Sequence, residues 1–174
     1  MTSILKVNTL QDSTGNTALT IANDGTTLPA KVPHWKLTPT ATANHTTSTW
    51  SQVDLGTSIY DSHSLKSGDN VVITAATAGL YHLTAHIRLN NKAAGRLLVG
   101  VYIGGSGGTL IGQSETVGNY SNLTGKYQCA ECNILYRLSA SDSLGMFVFH
   151  EYGSNAEVSG GGHESWFMGY RISV

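Results

Sequence analysis

Reactive side chains are sparse in this chain, and their spacing limits what they can do. Cys129 and Cys132 occur in Tyr127-Gln-Cys-Ala-Glu-Cys-Asn133. A zinc site would need two further Cys or His ligands nearby, and no second such pair follows. Their spacing puts the two thiols on opposite faces of a regular strand, where a disulfide would require a bulge. They read as small, mostly buried apolar residues. His82 and His86 share one face, but four residues along a strand separate their Cα atoms by ~13 Å, so one chain cannot chelate a metal with both.

Gly104-Gly-Ser-Gly-Gly108 fits the Gly-x-Ser-x-Gly pattern of a nucleophile elbow. That elbow needs a strand before it and a helix after it, and Thr109-Leu-Ile-Gly112 reads as another strand. A hairpin loop is the reading that fits, and with no helix N-terminus following, the loop lacks a phosphate cradle too. Asp54, Asp61, Asp69, Asp142, Glu151 and Glu164 fall in turns or at strand ends, where solvated carboxylates are ordinary. None has the spacing of a dedicated calcium loop. Asn44-His-Thr46, Asn119-Tyr-Ser121 and Asn122-Leu-Thr124 match the glycosylation sequon and read as polar loops. No nucleophile or acid/base pair has a recognisable setting, so no enzyme, metal or cofactor is expected.

The elements that must position these residues are strands. Apolar and polar residues alternate longest over Ala78 to Leu89, with Tyr81, Leu83, Ala85, Ile87 and Leu89 on one face and His82, Thr84, His86 and Arg88 on the other. This is the period-two pattern of a sheet with one face in a core. Further strands are predicted at His34 to Leu37, Thr49 to Leu55, Val71 to Thr77, Arg96 to Gly104, Thr109 to Val117, Lys126 to Leu138, Leu144 to Tyr152 and Ser165 to Val174, with turn residues between. Leu144, Met146, Phe147, Val148 and Phe149 make one of these apolar on both faces, which places it between the core and a second surface. No segment has a helical period, and many short strands at this spacing indicate a sandwich or barrel.

Bulk composition narrows the function. Charged residues make up only 12% of the chain, about half the usual share, so solubility rests on Ser, Thr, Asn and Gly. The net charge of -1 offers no basic field to gather nucleic acid or anionic lipid. The N-terminus has no basic segment leading into an apolar run, and no later segment is long enough to span a membrane as a helix. The protein is expected to be made and folded in a cytosol, with neither nucleic acid nor a membrane as partner.

Residues 1–32 have a different texture, and Pro33 marks the boundary with a head over residues 33–174. Ser3 to Leu10 and Asn16 to Ile21 are extended around a turn at Gln11 to Gly15, which predicts a β-hairpin arm. Ile4, Leu5, Val7, Leu10, Leu19 and Ile21 give that arm more apolar surface than a free tail carries, and a hairpin alone is marginally stable. These residues are expected to anchor it on another subunit or a larger assembly, packing on its own domain being the plainer alternative.

Four stretches of the head carry a resemblance. In order they are Tyr60-Asp61, Ala78-Gly-Leu-Tyr-His-Leu83, Leu138-Ser-Ala-Ser-Asp-Ser-Leu144 and Ser165-Trp-Phe-Met-Gly-Tyr-Arg-Ile172. Together they resemble the globular heads of the tumour-necrosis-factor and complement jelly-roll superfamily over about residues 34 to 174. Leu83 stands where that family usually has Phe, whereas Ser165, Phe167, Gly169 and Tyr170 match its C-terminal pattern. The resemblance implies an all-β jelly-roll sandwich, here with the hairpin arm in front, associating as a homotrimer. A trimer would draw its interface from His82, His86, Tyr81, Phe147, Phe149, Phe167 and Tyr170. Three copies of one histidine could then converge on the axis to hold a metal or anion, ordinary interfacial hydrogen bonding being the plainer use.

The arm, Ser3 to Ile21, resembles the opening of bacteriophage tail-fibre and virion structural proteins, particularly cyanophage ones. Arm and head together imply a virion structural protein made in the host bacterial cytoplasm. Its expected role is a homotrimeric capsid decoration or cement protein held on the particle by its arm, with other virion proteins as partners. The alternative is a short tail-fibre or fibre-tip subunit, a knob binding a host receptor or surface glycan. Loops such as Val117 to Leu123 and Tyr152 to Glu157 would then stack on sugars.

Overall fold

The computed structural model describes residues 9–11, 13, 15, 17–21, 27–29, 32–90, 94–105, 107–119, 127–161 and 164–173. The chain divides into two compact units, Met1–Val32 and Pro33–Val174. Among the described residues there are strands and turns and no helix.

In the first unit β1 (Thr9–Gln11), β2 (Thr17–Ile21) and β3 (Thr27–Pro29) form an antiparallel sheet in the order β1-β2-β3. The hairpin is thus extended by a third strand, with Leu10 opposite Leu19 and Leu19 opposite Pro29. Proline is tolerated in β3 because that strand is an edge and can leave one N–H unmade. Of the anchoring residues, Ile4, Leu5 and Val7 lie outside the described residues. So do the side chains of Leu10, Leu19 and Ile21, whose backbones belong to β1 and β2.

The second unit is a sandwich of two antiparallel sheets. The larger contains β4 (His34–Thr38), β5 (Ala43–His45), β7 (Thr57–Asp61), β10 (Gly79–Asn90), β13 (Tyr127–Leu138), β15 (Ala156–Val158) and β16 (Trp166–Ser173). Its spine is β10, which pairs β13 along its whole length on one side, and β16 followed by β15 on the other. Beyond β16 come β4 and β7. The smaller sheet contains β6 (Ser51–Gln52), β8 (Lys66–Ser67), β9 (Asn70–Val72), β11 (Ala94–Ile103), β12 (Thr109–Asn119) and β14 (Ser143–His150). They run in the order β12-β11-β14-β9-β8, with β6 also on β14.

Alternation along β10 is carried into the packing. Tyr81, Leu83, Ala85, Ile87 and Leu89 are buried at 0% exposure beside Trp35, Leu37 and Phe167 of the same sheet. Leu97, Val99 and Val101 of β11 and Leu144, Met146 and Val148 of β14 join them from the opposite sheet in one core. Trp35 sits at its centre, with ring centroids 5.5 Å from Tyr81 and 5.8 Å from Phe167. Gly169 makes room for it, because a Cβ there would lie 2.3 Å from the indole Cζ2. This is the physical content of the glycine in the Ser165, Phe167, Gly169, Tyr170 pattern.

Three sequence expectations are corrected. The strand predicted over Val71 to Thr77 stops at Val72, because Thr74 to Thr77 closes a turn in which Thr77 and Ala78 both donate to the Thr74 carbonyl. The polar stretch around Asn44 and the loop after Tyr152 each contain a three-residue strand, β5 and β15, which pair with each other. The double apolar face of β14 is covered by its own chain. On the outer face of the smaller sheet Tyr102 packs 4.8 Å from Phe147, and Trp50 packs 5.6 Å from both Tyr102 and Phe149. Gly100 leaves space for that indole, since a Cβ there would meet it at 3.1 Å.

Candidate functional site

Sheet register assembles one surface from strands far apart in sequence. On the outer face of the larger sheet Leu135 of β13, His82 of β10, Tyr170 of β16 and His34 of β4 form one row. Asn133, Thr84, Met168, Lys36 and Tyr60 form the next, and Glu131, His86 and Trp166 a third. On β10, β13, β16 and β4 these positions alternate with inward-facing residues, so the pleat that buries Tyr81 and Phe167 turns this set outward.

The face carries large apolar groups among its polar ones. Leu135 is 63% exposed and Tyr170 43%, with Trp166 and Met168 half-buried beside them. The ring of His82 lies 5.2 Å from that of Tyr170, and the ring of His86 stacks on Trp166 at 5.5 Å. The Nδ1 atoms of both histidines are buried and make no hydrogen bond. A ligating imidazole ordinarily donates its second ring N–H to an acceptor, so these rings fit aromatic packing better than metal binding. Among the described residues no three His, Cys, Asp or Glu side chains come together in a metal-binding group.

Polar groups are interleaved with these apolar ones. Thr84 donates to the Asn133 side-chain oxygen at 2.8 Å, and the Asn133 amide donates to Glu131 at 3.0 Å. Lys36 Nζ lies 5.3 Å from the Trp166 centroid, and the Arg88 guanidinium lies 4.1 Å from that of Tyr127. Arg88 also pairs with Glu164 at 2.7 Å. Exposed apolar groups mixed with hydrogen-bonded and charged ones are compatible with a protein–protein interface.

The structure divides the predicted interface residues. His82, His86 and Tyr170 share this outer face. Tyr81 and Phe167 point the other way and have no exposed surface, so they belong to the core of a single chain. Phe147 is equally buried and Phe149 half-buried, both beneath the Trp50 cluster on the opposite sheet. Leu135, Trp166, Met168 and Lys36, which the sequence reading passed over, complete the surface. The alternation of β13 marks Leu135 as outward, but only register shows that it lies beside His82.

The other reactive groups have structural settings. Cys129 is exposed and Cys132 buried, on opposite faces of β13, and both are free thiols. Cys129 therefore departs from the buried reading, although the burial of its surroundings still pushes its pKa up, opposed by the charge of Arg88. Gly104 and Gly105 take positive φ values of 84° and 83° between β11 and β12, and Ser106 lies outside the described residues. A strand and not a helix follows, as a hairpin requires. Asp61 accepts from the amides of Leu65 and Lys66, so it caps a turn. Desolvation, then a hydrogen bond and repulsion from Asp54, raise the pKa of Asp69. Tyr152 donates to Gln128 and stacks on His150, which holds it in the structure and away from a sugar-binding role. In the other proposed sugar loop, residues 120–123 lie outside the described set.

No protein-family model matches the chain, and no curated protein matches its sequence. Solved structures do match it. Murine APRIL aligns with 82% of this chain and 100% of its own, at 14% identity and a TM-score of 0.63. Eiger TNF from S. frugiperda aligns with 82% of this chain and 92% of its own, at 12% identity and 0.58. The globular domain of zebrafish complement 1qA protein aligns with 82% of this chain and 98% of its own, at 11% identity and 0.58. Similarity at this level of identity concerns the backbone arrangement, and it shows that this chain has the jelly-roll sandwich fold shared by tumour-necrosis-factor-like and complement-head domains.

Proposed function

We propose that the protein is a homotrimeric virion structural protein of a bacteriophage. In this reading it is a capsid decoration or cement protein whose head trimerises and whose residues 1–32 fasten it to the particle. The observation that carries the trimer is the outer face around Leu135, His82, Tyr170 and Trp166, whose exposed and half-buried apolar groups call for a covering surface. A second copy is the covering that suits a closed cyclic assembly, because each head then offers this face and receives an edge of its neighbour. The virion assignment is supported by the resemblance of Ser3 to Ile21 to phage fibre and virion proteins. Its partners are then other virion proteins, and it is made in the bacterial cytoplasm before joining the particle.

In this reading the role is binding and mechanical. Sedimentation of the full chain tests the trimer: a mass three times the 18.4 kDa of one chain supports it, and a monomer removes it. Gold labelling of intact particles tests the location. Label over the capsid is expected, and label confined to the tail would replace decoration by the short-fibre role.

A further inference from the structure

Residues 43–50 form a strap that carries the chain from the larger sheet to the smaller one. At one end β5 is an edge strand, joined to the sandwich by three pairs with β15. At the other end Trp50 lies over the outer face of the smaller sheet, its ring centroid 5.6 Å from those of Tyr102 and Phe149. Between them His150 of β14 clasps the strap. Its Nε2 donates to the His45 carbonyl at 2.9 Å, and its own carbonyl accepts from the Ser48 amide at 2.7 Å and the Thr47 hydroxyl at 3.3 Å. Ser48 holds φ +56°, a left-handed conformation that a side chain disfavours, so the clasp works against backbone strain.

His45 is a poor place for a positive charge. It is 7% exposed, and its Nε2 is buried with no hydrogen bond among the described residues. A neutral imidazole can leave that atom as a bare acceptor. An imidazolium carries an N–H on both nitrogens, and this one would be a buried donor without a partner. The surroundings offer no compensation. The charge that acts on His45 is that of His150, which repels a proton there. On β15 His45 faces Ala156, whereas Glu157 stands opposite Asn44 and is exposed. Glu151, next to His150, is exposed as well and lies 3.7 Å from Arg96. Tyr152 stacks on His150, and burial keeps its phenol neutral.

We propose that residues 43–50 are an acid-released strap, which opens when His45 takes up a proton and uncovers the apolar face of Tyr102 and Phe149. Opening breaks three short pairs and the clasp, and leaves the core between the sheets intact. β6 stays paired with β14 and serves as the hinge. Above 6.5, the ordinary value for histidine, His45 is neutral whether the strap is open or closed, and pH has no effect. Below it the open strap binds a proton that the closed one resists, so opening grows as pH falls until the closed form is protonated too. All of these groups come from one chain, so the strap is independent of the trimer and of the virion assignment.

The test is hydrogen exchange of the full-length protein at pH 8 and pH 5, corrected for intrinsic rates and read by mass spectrometry of its peptides. Protection of residues 43–48 is expected to fall roughly tenfold or more at pH 5, the change that one unit between the open and closed pKa produces, while residues 81–89 keep theirs. Fluorescence of the dye ANS is expected to rise over the same range as the two rings are uncovered. In His45→Asn both changes are expected to vanish, with unchanged protection of residues 81–89 at pH 8 verifying its fold, and His45→Gln repeats the comparison with a longer side chain. Unchanged protection of residues 43–48 at pH 5, or a loss shared equally by residues 81–89, would overturn the strap. A loss that persists in both variants would overturn His45 as its trigger, and a flat ANS signal would overturn the uncovering of Tyr102 and Phe149.

Discussion

The imidazole of His86 lies almost parallel to the indole of Trp166, with planes 13° apart and centroids 5.5 Å apart across the β10–β16 ladder. Lys36 reaches the same indole from β4. The two large rings are thus ordered before any partner arrives, and an interface built on ordered side chains loses less conformational entropy when it forms.

Substituting Leu135→Glu places a charge at the β13 end of this face without touching the core. Because Leu135 is 63% exposed, the stability of the single head is expected to change by no more than about 0.5 kcal/mol. The trimer is expected to dissociate, since an unpaired charge would be desolvated there. Sedimentation velocity beside a circular-dichroism melt checks both halves. A variant that remains trimeric would locate the interface elsewhere.

Gly169→Ala is expected to destabilise the head, because the new methyl would lie 2.3 Å from Trp35 Cζ2 inside a packed core. Overpacking of this kind costs roughly 1–3 kcal/mol, and Tm falls about 2–4 °C per kcal/mol in a domain of this size. Adding Trp35→Leu should relieve the larger part of this cost and leave that of the 2.9 Å approach to Leu83 Cδ2, as a double-mutant cycle would show.

Acid is expected to weaken the head through His45. Burial, then the proximity of His150, hold its pKa below the ordinary 6.5. Above 6.5 the group is neutral folded or unfolded and has no effect on stability. Below it the unfolded chain takes up a proton that the folded chain resists, so stability falls with pH until the folded pKa is passed. Thermal melts between pH 8 and pH 5 should show a decline that is shallower in His45→Asn, and equal slopes in the two proteins would exclude this residue as the source.

Deleting residues 1–32 is expected to leave the head folded and trimeric, because Pro33–Val174 contains its own core, and to abolish attachment to particles. Co-sedimentation of the truncated head with particles lacking the protein checks this. A truncated head that still binds would move the anchor into the sandwich.

Much of the architecture is legible along the chain. The strand Gly79–Asn90 stands where its alternation puts it, and Tyr127–Leu138 and Trp166–Ser173 lie within a residue of their predicted limits, because side-chain period and turn chemistry are local properties. The same alternation groups Tyr81 with Leu83 and Ile87, which is why it lies in the core and not at a subunit contact. Strands β5 and β15 were not legible, being three residues each and polar in part. They exist because each supplies the other's backbone partners.

Sequence alone determined that this protein is built of strands, where most of them turn, and which of their residues face inward, since each follows from neighbours a few positions away. Only the tertiary structure decided that Leu135, His82 and Tyr170 stand side by side and that Trp50 seals the outer face of Phe149 and Tyr102. Those relationships depend on the register between strands distant in the chain, and register is set by long-range backbone pairing and core packing acting together.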